Sequence, residues 1–340
     1  MQVQTIPEQH RISLSDPSQI GEARRVATRA AQRAGLDQTA CGKVAIVAAE
    51  MATNALRHAR GGEMLVQTTD GGLPKAVEVI AFDRGPGMAD LSRCMDDGYS
   101  SAGSLGQGLG AIRRLSTIMD VYSAPSRGTA VYARIEADGR SANPPRQSQW
   151  CAISVPAPGE TQCGDSWRLA QSQELLSAVM ADGLGHGPLA AQAANTTMAA
   201  FEREPSAAPG RYLAAAHEAA RTTRGAALAC VQVDLRRKTL LYAGIGNIRA
   251  GVVSHATQTE KALPSHNGTV GLQLGRVQQF QDAAAPGDLL LMHSDGLSGR
   301  WKLGDYPGLS HRAPALIAAV LYRDFKRGQD DATILVLRLR

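Results

Sequence analysis

The sequence predicts an α+β protein of two domains, and three observations carry that prediction. Segments with the two-residue alternation of strands and segments with helical spacing follow one another along the whole chain. Residues 137–149 (ADGRSANPPRQSQ) are polar, lack periodicity and hold a double proline, which is the composition of a linker. A chain of 340 residues also exceeds what one ordinary hydrophobic core organises and suits two. The expected division is therefore a domain at 1–136, a linker at 137–149 and a domain at 150–340.

In the first domain, residues 11–15 alternate apolar and polar and read as a short strand. Residues 18–34 are rich in Ala and Arg at helical spacing and stop at Gly35, a C-capping residue. Asp37 opens a second helix that runs through Val44, Val47, Met51 and Ala55 to Ala59. Residues 64–68 and 76–82 read as strands around the turn signal Asp70-Gly71-Gly72. A glycine-rich loop at 97–110 precedes a helix to Thr117, and strands at 119–123 and 129–135 close the domain.

The second domain has a different texture. Strands are expected at 150–155, 165–170, 175–181, 226–234, 238–243, 248–253, 287–293 and 332–339. Helices are expected at 188–203, 210–222 and 312–326. Successive strands around a helical pair imply two sheets with helices outside. There is no internal repeat.

Composition narrows the function classes. Hydrophobic content of 44% with 20% charged residues is that of a globular chain. The net charge of +5 is spread along the sequence, and 4% aromatic residues provide few platforms for stacking bases, so nucleic-acid binding is not expected. The five cysteines are scattered with no C-x-x-C, which argues against a disulfide framework and a zinc site. No apolar run approaches membrane-spanning length and the N-terminal residues lack the order of a signal peptide, so the expected location is the cytoplasm without membrane attachment.

One set of candidate residues lies in the first domain. Glu50 and Asn54 are one helical turn apart and project from the same face. An Asn carbonyl oxygen suits Mg²⁺ bridging phosphates, and a carboxylate beside it can take a proton from an attacking hydroxyl. Asp83-Arg84-Gly85-Pro86-Gly87 follows an apolar strand. The Asp can accept from an adenine amino group, and Gly85 and Gly87 let a ring approach the backbone. Gly103, Gly106, Gly108 and Gly110 punctuate a loop that opens a helix, a place where backbone amides cradle phosphate. Thr129 begins a late strand and adds a hydroxyl beneath the adenine. Each piece alone has a plain reading as a surface residue or a turn; their order is what counts.

In that order the pieces resemble the GHKL ATPases, and most closely the RsbT-type switch kinases. Residues 50–54 look like the N box, Asp83-x-Gly85-x-Gly87 like the first glycine box, and 103–110 like the second with its lid. Residues 54–59, 61–63 and 97–101 add to the likeness, which covers about 10–136. The resemblance implies an α/β sandwich with a mixed sheet and helices on one face. It also implies that Asn54 holds Mg²⁺, that Asp83 reads the adenine of ATP, and that Glu50 activates a protein serine or threonine.

The other set lies in the second domain, where acids recur at strand ends: Asp165, Asp182, Asp295, and Asp330 beside Asp331. Converging carboxylates repel one another, and shared divalent ions resolve the conflict. Oxygen ligands without His or Cys favour Mg²⁺ or Mn²⁺. A lone Asp-Gly is ordinarily a turn. Here Gly-Asp, Asp-Gly-x-Gly-His-Gly, Ser-Asp-Gly-Leu and Asp-Asp-Ala-Thr occur in sequence, a pattern similar to the PPM-type phosphatases, within them the SpoIIE and RsbX branch. The likeness spans about 150–340 and implies an α-β-β-α sandwich. By resemblance Asp182 bridges two metals, the Gly183 carbonyl joins one of them, Asp295 and Asp330 complete the second, and Asp165 acts directly or through water. The family pattern favours Asp330 over Asp331. His186 stands two residues later than the family's usual histidine, and no phosphate-binding arginine could be matched.

Together the resemblances imply a kinase and a phosphatase in one chain, acting on serine or threonine of STAS-domain regulators in a sigma-factor or stressosome-type cascade. Two other readings keep less of this: a phosphatase governed by a non-transferring ATP sensor, or an anti-sigma binding protein.

Overall fold

The computed structural model describes residues 1–4, 7–69, 75–91, 108–137 and 149–340. The turn at 70–72, the residues 97–101, Gly103 and Gly106, and linker positions 138–148 lie outside the described residues. In chain order the first elements are β1 (Gln2–Gln4), β2 (Gln9–Leu14), α1 (Ser18–Arg33), α2 (Gln38–Ala59), β3 (Gly62–Thr68) and β4 (Ala76–Phe82). Next come α3 (Gly108–Leu115), β5 (Ile118–Ser123), β6 (Thr129–Glu136), β7 (Trp150–Val155), β8 (Asp165–Gln171) and β9 (Leu175–Gly183). They are followed by α4 (Pro188–Arg203), α5 (Pro209–Ala220), β10 (Ala226–Asp234), β11 (Thr239–Ile245) and β12 (Arg249–Val253). The last are β13 (Glu260–Leu263), β14 (Phe280–Ala283), β15 (Leu289–His293), α6 (Pro314–Phe325) and β16 (Ala332–Arg338).

The chain forms two compact units, neither continuous in sequence. One comprises Pro7–Ser148 with His311–Arg323; the other comprises Met1–Ile6, Gln149–Ser310 and Asp324–Arg340.

In the first unit the sheet runs β2-β3-β4-β6-β5, and every described pairing is antiparallel. This corrects the mixed sheet expected from the resemblance. Two helices, not one, separate β2 from β3, so the chain returns to the end it left and β3 runs back along β2. β6 then inserts between β4 and β5, so these like-directed strands never become neighbours. The helix ends follow the sequence signals. Gly35 takes φ +72 beyond α1, with Leu36 N donating to Ala31 O and Gly35 N to Gln32 O, a Schellman closure. Asp37 caps α2 by accepting from Ala40 N at 2.8 Å.

Small residues on α1 and α2 (Ala27, Ala30, Val44, Val47, Ala48) let both helices settle onto Met64, Val66, Val77 and Val79 of the sheet. Each valine or methionine so buried contributes roughly 1.5–3 kcal/mol relative to exposure. The opposite face carries a buried polar group. Arg134 donates to Glu78 at 3.2 Å and to Glu136 at 2.9 Å, while Tyr132 and Gln67 donate to the two oxygens of Glu78. Tyr322 of α6 packs edge-on to Phe82 on that face, centroids 5.8 Å apart.

The second unit stacks two antiparallel sheets, β1-β8-β9-β10-β11-β14 and β13-β12-β15-β16-β7. Between them lie Trp167, Met180, Tyr242, Leu290, Met292 and Leu335. The other face of the first sheet is covered by α4 and α5 through Ala194, Met198, Phe201, Tyr212 and Leu213. Both helices begin on a proline, whose fixed φ suits the first turn.

Candidate functional site

The second unit gathers the acids at strand ends. β8 and β9 pair so that Asp165 stands directly opposite Asp182. Asp165 is 2% exposed, accepts from Ser294 Oγ at 2.6 Å through Oδ2, and has no partner for Oδ1. Ser294 is itself fixed by the backbone amide of Thr333 at 3.0 Å, which ties β15 to β16 just before Asp295 and just after Asp331. Asp331 is buried; its Oδ1 accepts from Ala157 N at 2.8 Å and its Oδ2 has no partner. Asp330 beside it is exposed and accepts from Asp331 N. Asp295 is half-buried and accepts from Asn247 Nδ2 at 2.8 Å.

The electrostatics follow from this crowding. Burial pushes Asp165 up to about 7, against hydrogen bonds from Ser294 and Thr333, with Asp331 and Asp295 adding repulsion. Asp182 rises to about 9, first through burial and then through Asp165, Asp295, Asp330 and Asp331. Asp182 thus feels every other expected acid. Two buried carboxylate oxygens without a donor are costly unless a cation faces them, and the donor set is purely oxygen, so the residues fit Mg²⁺ or Mn²⁺. Among the described residues no three carboxylate, imidazole or thiol groups converge on a single point. Ions of this kind keep several waters, so carboxylates can share a centre without closing a full cage.

Close approaches fix the backbone here. A Cβ on Gly183 would lie 2.0 Å from Ala190 O, and one on Gly296 the same distance from Asp331 O. His186 is exposed, and its Nδ1 pairs with Glu160 Oε1 at 2.7 Å. His293, two residues before Asp295, is buried and receives the Trp301 indole N–H at 3.1 Å while its Nδ1 donates to Ser294 O. Burial lowers it to about 4, so it is neutral near pH 7.

The first unit holds the other expected site. Asp83 Oδ1 accepts from Gly85 N at 2.8 Å and Thr129 N at 3.1 Å. Burial raises the Asp83 pKa, partly offset by those amides and by Arg323 and His58. Gly87 has φ +70, and a Cβ there would lie 2.0 Å from Ala124 O. Arg323 Nη1 donates to Asp83 O at 2.7 Å. The Thr129 hydroxyl meets Ser123 Oγ at 2.9 Å, and Ser123 also receives Met88 N. Asn54 and Glu50 are half-buried on α2. A Cβ on Gly108 would come within 3.0 Å of Asn54 Oδ1, so the start of α3 abuts Asn54. Gly110 is buried in the first turn of the same helix. A helix N-terminus beside an amide oxygen suits a Mg²⁺-bound phosphate, and the Asp83 carboxylate suits an amino group.

Residues not singled out from the sequence are Ser294, Thr333, Asn247, Ser123 and buried His293. Ser294 adjoins the recognised Asp295; Asn247 and Ser123 carry no local signal.

Known proteins match both halves of the chain. The family model described as histidine kinase-like ATPase domain matches residues 14–135, and that of stage II sporulation protein E (SpoIIE) matches 172–340. Serine/threonine-protein kinase RsbT of Bacillus subtilis (strain 168) is 31% identical over 112 residues, 33% of this chain and 84% of RsbT. Phosphoserine phosphatase RsbX of the same organism is 28% identical over 144 residues, 41% of this chain and 70% of RsbX. A solved structure from work on the bacterial stressosome, as a modular system adapted to control secondary messenger signaling, superposes with a TM-score of 0.52 at 26% identity, covering 56% of this chain and 98% of that one.

Fold and sites therefore define a histidine kinase-like ATPase domain joined to a PPM-type serine/threonine phosphatase domain. The chain belongs to the RsbT-like kinases through its first half, and its second half carries a SpoIIE-type PPM domain similar to RsbX. Among the described residues no helix is long and apolar enough to cross a membrane.

Proposed function

We propose that the chain sets both directions of a phosphorylation switch in the cytoplasm, phosphorylating and dephosphorylating serine or threonine on STAS-domain regulators of a sigma-factor or stressosome-type cascade. The observation that carries the phosphatase half is the facing pair Asp165 and Asp182, with a buried oxygen left without a donor. Asp182, the Gly183 carbonyl, Asp295 and Asp330 would hold two Mn²⁺ or Mg²⁺ ions, with Asp165 binding directly or through water. Bound ions would supply an activated water and neutralise the phosphoryl charge. The chain's own groups position that chemistry: Ser294 fixes Asp165, and Asn247 fixes Asp295.

In the kinase half, Asp83 would accept from the adenine amino group while the amides of Gly85 and Thr129 hold its other oxygen. Asn54 would hold Mg²⁺ against the phosphates. Gly103, Gly106, Gly108 and Gly110 would line the phosphate loop, and Glu50 would take the proton from the attacking hydroxyl. The names of the relatives RsbT and RsbX, a kinase and a phosphatase, support pairing the two activities.

The test is mass spectrometry of a STAS-domain protein incubated with the chain. With ATP and Mg²⁺, the Asp182→Asn variant should accumulate phosphoprotein and Glu50→Ala should not. With Mn²⁺ and no ATP, wild type should remove the phosphate. Absence of phosphotransfer by the Asp182→Asn variant would favour a sensor role for the first half.

A further inference from the structure

A cavity of about 670 Å³ opens beside Asp295 in the second unit, and of its lining the reaction described above uses Asp295 and Asn247. Its walls include Arg249, Lys261, Leu291, Asp295, Trp301 and Arg327. A space of this size takes a group much larger than a single phosphoryl.

Its charges are uneven. Lys261 is paired with Asp282, and Glu260 accepts from the backbone amide of Leu303. Asp295 is held by Asn247 and belongs to the acid cluster. Arg249 and Arg327 remain: among the described residues neither guanidinium has an ion pair or hydrogen bond, and both are exposed. The Arg249 side chain packs on Gly299, where a Cβ would stand 2.5 Å from its Cζ, and the backbone of Arg327 is fixed by its N–H donating to Gly296 O at 2.9 Å. Exposed guanidinium groups that have no ion-pair partner are suited to carboxylates, which they bind bidentately. Leu291 and Trp301 add an apolar surface suited to the stems of acidic side chains.

We propose that this cavity is a docking subsite for an acidic segment of the phosphoprotein substrate, with Arg249 and Arg327 gripping carboxylates that flank the phosphorylated residue. The inference rests on the phosphatase reading, since it is the Asp295 edge that places the cavity beside the reaction. It also supplies cationic recognition in a sequence where no phosphate-binding arginine could be matched.

The test uses the full chain loaded with Mn²⁺ and matched phosphothreonine peptides whose flanks carry Asp and Glu, Gln and Asn, or Lys. Wild type should prefer acidic over neutral flanks by about tenfold in kcat/KM, expressed in KM, as expected of two partly exposed charge pairs. Lysine flanks should be worst. The double variant Arg249→Gln/Arg327→Gln should lose the preference among the three. No preference in wild type, or an undiminished one in the double variant, would overturn the proposal. Fluorescence anisotropy with the unphosphorylated peptides separates the two readings. Acidic peptide bound by wild type without turnover of any phosphopeptide would count against the phosphatase and leave the subsite standing; normal turnover without acidic preference would do the reverse.

Discussion

Replacing Asp165 by Asn should stabilise the metal-free protein, and the gain should grow with pH. In the folded chain burial holds Asp165 protonated up to about 7, whereas the unfolded chain releases that proton near 3.8. Between those values the folded state binds the extra proton, so wild-type stability falls as pH rises through the window. At 1.36 kcal/mol per pH unit the full cost is at most about 4 kcal/mol above pH 7. Asp182, Asp331 and Asp295 share the repulsion, so removing one charge recovers about half, near 2 kcal/mol. For a domain of this size that is about 4–8 °C in Tm. At pH 5 the gain shrinks to about 1 kcal/mol or less, because Asp165 is then protonated in the fold. Thermal unfolding in EDTA at pH 5 and pH 8 reads the difference. Adding Mn²⁺ should reverse the order at pH 8, since a cation rewards the charge it was built to hold. A wild type more stable than Asp165→Asn at pH 8 without metal, or a gap that ignores pH, would refute the reasoning.

Asp182→Asn and Asp295→Asn should each cut Mn²⁺-dependent phosphopeptide hydrolysis to below about one-hundredth while circular dichroism stays native; turnover assays decide. Glu50→Ala should lower phosphotransfer by about 10²–10⁴-fold and leave ATP affinity, read by calorimetry, within about threefold. Gly87→Ala places a methyl 2.0 Å from Ala124 O at a left-handed φ, so nucleotide binding should be lost or the first unit destabilised by about 2 kcal/mol or more. Arg134→Ala removes the cation that lies between the buried carboxylates of Glu78 and Glu136, and urea unfolding should show a loss of about 3–5 kcal/mol.

Most elements were legible because their apolar periods are long and their stops explicit. Gly35 ends α1 and Asp37 opens α2, and the strands that contain Asp182 or run up to Asp83 and Asp295 are nearly continuous apolar runs. Three strands escaped. β1 is three residues, and β13 (EKAL) and β14 (FQDA) are sheet-edge or near-edge segments with exposed polar side chains. Such strands exist because a neighbour offers its backbone, a long-range fact no local pattern carries. The same holds for the pairing of β1 with β8 and for the placement of His311–Arg323 in one unit with Pro7–Ser148.

The sites divide in the same way. Acids at strand ends are visible as punctuation, but their convergence depends on register. Asn247 reaches Asp295 across 48 positions and Ser294 reaches Asp165 across 129, so neither contact leaves a trace in sequence spacing. Asp331 illustrates the limit of pattern. The motif favours Asp330, and the fold buries Asp331 with an unpartnered oxygen while leaving Asp330 exposed.

Titration of the metal-free chain with Mn²⁺, followed by electron paramagnetic resonance of the free ion, reads the behaviour of the acid cluster directly. Wild type should take up about two ions per chain at the carboxylate cluster, and Asp182→Asn should bind fewer than about one with the same fold. Equal uptake by the two proteins, or none by wild type at millimolar Mn²⁺, would mean that these aspartates do not share divalent ions.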